Sequence, residues 1–125
     1  MIKDLYPEPP DREDKFILEG LTLEQQFEFS RMQRCTTEIS KQQALELLQN
    51  SLRLISIKEK FIENHKKKIK YDFSLPLEVS LRIQILITEM EKKPLKTIIQ
   101  TLLLTVIQLM LTDNKLKEEL DAEFK

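Results

Sequence analysis

One histidine, His65, and one cysteine, Cys35, are all that this 125-residue chain offers of the two most versatile chemical side chains. A metal centre needs several Cys, His or carboxylate ligands that converge. A nucleophilic site needs a base beside its nucleophile. Neither pattern is present. The lone glycine, Gly20, leaves no glycine-rich loop to cradle a phosphate. The carboxylates are scattered among lysines, as on solvated helix faces, and do not form an acid–base pair. We therefore expect no enzyme, no cofactor and no metal site. His65, followed by three lysines, reads as a solvated residue near a helix end. Cys35 reads as a small apolar filler in a turn.

The densest charge is the run Lys58, Lys60, Lys66, Lys67, Lys68, Lys70. Residues 51–70 hold seven bases and two acids, whereas residues 1–20 hold six acids and three bases. Such lysines could meet phosphates. A nucleic-acid groove also needs stacking aromatics, and only Phe61 and Tyr71 lie here. With a net charge of −1, no general affinity for nucleic acid is expected. An acidic protein partner fits better, with Lys66, Lys67 and Lys68 as candidate contacts.

Composition sets the frame for these residues. Hydrophobic content of 41% and charged content of 33% suit a soluble helical chain. A single cysteine permits no intrachain disulfide and suits a reducing compartment. No secretory signal is expected, because no positive segment precedes an apolar one at the N-terminus. The most apolar stretch, Leu95 to Leu111, is interrupted by Lys96, Gln100 and Gln108, and a membrane span is not expected.

The elements follow from caps and periodicity. Residues 1–20 read as a flexible acidic, proline-rich arm. Thr22 with Gln25, and Ser40 with Gln43, form two capping boxes in quick succession. They predict a helical hairpin of about 22–38 and 40–68. Its apolar stripe would comprise Leu23, Phe27 and Met32 on the first helix, facing Leu47, Leu48, Leu52 and Ile55 on the second. A C-terminal helical pair should occupy about 75–92 and 95–111, with Ser74 or Pro76 at the start of the first member. Leu77, Leu81, Ile85 and Met90 would form the stripe of that member. Leu95, Ile99, Leu102, Val106 and Leu109 would form the seam of the next. Thr112-Asp-Asn114 is a turn signal, and a polar terminal helix or a continuation follows. The fold class is all-α. The domains are an arm (1–20), a hairpin (21–70) and a helical extension (74–125). A hairpin alone buries too little, so its stripe must pack on another copy, on the C-terminal helices or on a partner.

Residues 21–65 resemble the NblA family, small proteins implicated in phycobilisome degradation. "LTLEQQF" (21–27) matches the family's L-S-L-E-Q-x-F opening, and "ISKQQALELL" (39–48) matches M-S-R-x-Q-A-x-E-F-L. "LISIKEKFIENH" (54–65) follows the family's later stretch with a one-residue shift, and Glu63 and Asn64 stand where the family has Leu-Lys before its terminal His. The resemblance implies a helix-turn-helix protomer that dimerises into a four-helix bundle. It implies an adaptor that touches phycobiliproteins through the end of the long helix and a ClpC-type chaperone through another surface. Ile62, His65 and Lys66 to Lys68 are then the partner-binding candidates. It also implies cyanobacterial cytoplasm or plastid stroma. Residues 74–125 have no counterpart in the resemblance. Two other readings stand beside the adaptor: a structural subunit or linker of a photosynthetic or other assembly, and a small basic-helix nucleic-acid-binding regulator.

Overall fold

The computed structural model describes residues 20–68 and 74–123. They form four helices: α1 (Leu23–Cys35), α2 (Lys41–Lys66), α3 (Leu77–Glu91) and α4 (Leu95–Glu123). No strand occurs among the described residues, and the protein is all-α. The arm expected over 1–20 lies, apart from Gly20, outside the described residues, as do Lys70 and Tyr71.

Both capping boxes form. The Gln25 amide N–H donates to Thr22 Oγ1 at 3.1 Å, and the Thr22 N–H donates to Gln25 Oε1 at 3.0 Å. The Gln43 N–H donates to Ser40 Oγ at 3.1 Å, and the Ser40 N–H donates to Gln43 Oε1 at 2.9 Å. Each box satisfies two backbone donors that a helix start would otherwise leave unpaired. α3 begins after Pro76 with no side-chain cap, so Ser74 does not open it.

The main core joins Ala44 and Leu48 of α2, Ile83, Ile87 and Met90 of α3, and Ile98, Leu102 and Val106 of α4. Met32, Ile39 and Leu52 pack partly buried against it. A second cluster joins Leu21 and Phe29 to Ile107 of α4. α2 makes its broadest contact with α4, and α1 also packs on α4. α2 and α4 run parallel: Ala44 and Leu48 share a core with Ile98 and Leu102 at one end, and His65 meets Glu119 at the other. α3 runs back between them in sequence and packs on α2.

This arrangement corrects four expectations. Leu23 and Phe27 are 69% and 68% exposed, and they do not face Leu47, Leu48 and Leu52. The docking surface for α1 is α4, which draws Phe29 inward and turns Leu23 and Phe27 away from it. Leu47 is likewise exposed, whereas Leu48 and Ile55 are buried. On α3, Met90 is buried as expected, whereas Leu77, Leu81 and Ile85 are exposed and Ile83 and Ile87 take the inward places. On α4, Leu95 is partly exposed and Ile98 holds the buried place one turn in.

The turn expected at 112–114 is absent, and α4 continues unbroken to Glu123. Each of its three turn-forming residues is engaged otherwise. Thr112 donates its hydroxyl back to the Gln108 carbonyl at 2.9 Å, Asp113 pairs with Lys58, and Asn114 bonds to Gln25. Thr112 thus bonds back within the helix, and the Asp113 and Asn114 side chains are drawn across to Lys58 and Gln25 and away from the local turn bonds that give such residues their turn preference. Cys35 is the last residue of α1 and is exposed, so it fills no apolar gap.

Candidate functional site

Two groups of side chains tie the 20–68 segment to α4. The first centres on Gln25. Beyond its capping role, its Nε2 donates to Asn114 Oδ1 at 2.9 Å and to the Met110 carbonyl at 3.3 Å. Asn114 Nδ2 donates back to Gln25 Oε1 at 2.9 Å and to the Gly20 carbonyl at 3.2 Å. Two amides so paired satisfy each other's donors and acceptors. The backbone lies close here: a Cβ on Gly20 would stand 2.8 Å from Leu111 Cδ2. A glycine at this place lets the chain enter α1 flush against α4.

The second group lies at the far end of α2. Lys58 pairs with Asp113. His65 Nδ1 lies 3.8 Å from a Glu119 carboxylate oxygen, and Lys66 Nζ lies 3.6 Å from the other. The His65 ring stacks on Phe61 with centroids 5.8 Å apart. Lys67 donates to Glu63 at 2.8 Å, one turn earlier on the same helix. That hydrogen bond, with the lysine's charge, holds the Glu63 carboxyl below the usual carboxylate range. Lys68 follows in the left-handed region (φ 56°), which ends α2 without a glycine.

Of the candidate partner contacts, the structure brings together Ile62, His65 and Lys66 beneath or beside α4, with Ile62 buried. Lys67 and Lys68 stay exposed. The lysine run is largely committed to acids and carbonyls of its own chain, since Lys60 also donates to the Ser74 carbonyl at 3.1 Å. Asp113, Asn114 and Glu119 are the functional-site residues that sequence reasoning missed. For Asp113 and Asn114 the signal was a turn motif inside a helical period, whose meaning depended on what lay across from it, and Glu119 carried no signal of its own. Among the described residues no group of three or more His, Cys, Asp or Glu could hold a metal ion. By length and composition α4 could cross a membrane, and here Ile98, Leu102, Val106 and Ile107 on it are buried against its neighbours.

The comparisons with known proteins fall on the α1–α2 half. The family model described as "Phycobilisome degradation protein nblA" matches residues 20–68. A relative described as "Phycobilisome degradation protein NblA homolog 1", from Synechocystis sp., is 54% identical over 44 residues, covering 35% of this chain and 71% of the relative. No solved structure matches the chain. The matched span takes in both capping boxes and the whole of α2. With a relative so similar over most of its own length, the chain belongs to the NblA family.

Proposed function

We propose that this protein is a non-enzymatic adaptor in phycobilisome degradation, with residues 20–68 as the adaptor unit and residues 74–123 as a helical extension of it. The observation that carries the proposal is that the family match coincides with α1 and α2, a helix pair defined by its capping boxes and packing residues. The partners proposed are a phycobiliprotein at the Ile62, His65 and Lys66 to Lys68 end of α2 and a ClpC-type chaperone at another surface. The setting proposed is the cytoplasm of a cyanobacterium or a plastid stroma. Exposed Leu23 and Phe27, and the row Leu77, Leu81 and Ile85, offer apolar area for contacts with partners or with further copies of the chain.

The test is a pull-down with the immobilised full-length chain from a phycobilisome-containing lysate. Enrichment of both a phycobiliprotein and a Clp-type chaperone is the expected result, and enrichment of neither overturns the proposal. The apolar row on α3 favours one second reading, a fixed subunit of a larger assembly. Co-purification at constant stoichiometry, without exchange over hours, would select that reading over the adaptor.

A further inference from the structure

α4 has two halves of different character. Residues 95–107 carry Ile98, Leu102, Val106 and Ile107, all buried in the two apolar clusters. Residues 112–122 contain one buried side chain, that of Thr112. This second half is held largely by polar contacts: Asp113 to Lys58, Asn114 to Gln25 and Gly20, and Glu119 to His65 and Lys66. The ionic members are partly solvated, with the Asp113 side chain 42% and the Lys66 side chain 61% exposed. Pairs of this kind hold weakly and are screened by salt.

The same half lies over the cationic end of α2. Its acids occupy Lys58, His65 and Lys66, the groups an acidic partner would use there. A partner reaching these side chains must first displace Asp113 and Glu119. We propose that residues 112–123 are a releasable cover, an autoinhibitory segment that competes in cis with acidic partners for the end of α2. Residues 95–107 stay docked when the cover lifts, because apolar burial holds them and salt does not screen it. The consequence for partner binding rests on the functional reading of residues 20–68 given above, whereas the cover itself is a property of the free chain.

The test compares the full-length chain with two variants of equal charge change. D113N/E119Q removes the two latching acids, and E118Q/D121N removes two exposed acids from the same stretch of helix. Far-ultraviolet circular dichroism checks that both retain native helix content. Amide hydrogen exchange by mass spectrometry should show residues 112–123 exchanging at least tenfold faster than residues 95–107. Raising sodium chloride to 1 M should speed the first segment and leave the second unchanged. D113N/E119Q should speed it several-fold at low salt, and E118Q/D121N should not. Equal exchange along α4, or equal effects of the two variants, overturns the cover. In a second arm, D113N/E119Q should bind purified phycobilisomes several-fold more tightly than E118Q/D121N, and equal binding overturns the competition. If no form binds phycobilisomes, the functional reading fails while the exchange data still decide the cover.

Discussion

Gln25 and Gln43 are chemically the same residue in the same motif, and the structure gives them unequal work. Gln43 closes a capping box and nothing more is recorded for it across the fold. Gln25 closes its box and also exchanges two hydrogen bonds with Asn114 and gives one to Met110. Replacing Gln43 with Ala should cost about 0.5–1 kcal/mol, the usual cost of a lost cap bond. Replacing Gln25 with Ala should cost about 1–2 kcal/mol, because it also leaves Asn114 without its partner. Urea unfolding of the two variants measures the difference, and equal costs would show that the Asn114 contact adds nothing. Both caps were legible in the sequence, because capping is decided within four residues. The second role of Gln25 was not, because its partner lies 89 residues away.

At the level of helices, legibility followed the same divide. All four helices could be anticipated from caps, prolines and periodicity, which are local signals. Which face of each helix turns inward could not. α3 reads LEVSLRIQILITEME, with large aliphatic residues on more than one side. The spacing of Leu77, Leu81, Ile85 and Met90 suggested one stripe, but contact with α2 and the main core draws in Ile83 and Ile87 with Met90 and leaves the other three outside. α1 presents the same ambiguity between Phe27 and Phe29, resolved by α4. The physical test is on α3. Leu81→Lys should change stability by no more than about 0.5 kcal/mol, as surface substitutions do. Ile87→Ala should cost about 2–4 kcal/mol, because it opens a cavity in the main core. Thermal unfolding distinguishes them, and a larger loss for Leu81→Lys would reverse the assignment of the inner face. Of the candidate site, the cationic end of α2 was legible as a run of lysines. The acids that cover it were not, since Asp113 and Glu119 look like any solvated helix charges until α4 is laid alongside.

For the molecule as a whole, α4 is the common wall. It meets α2 along its length and α1 over its middle, and its core residues share one cluster with α3. Leu102 is almost completely buried at that junction. Leu102→Ala should cost about 3–5 kcal/mol. It should also lower hydrogen-exchange protection around residues 44–48 and 83–90 together, since one cluster unites them. Loss of protection confined to α4 would mean that the clusters open independently. The C-terminal helices dock on the helix pair of their own chain, α3 and α4 both packing on α2.

The parallel course of α2 and α4 dictates what α3 must do. A single helix appended after residue 68 would double back and lie head-to-tail with α2. To lay a helix alongside it in the same direction, the chain needs a return leg, and α3 is that leg. At about 1.5 Å per residue, the 15 residues of α3 travel roughly 22 Å, little more than half the length of α2. α3 and α4 therefore depend on each other: without the return leg of α3, α4 would not lie parallel to α2 and share its core.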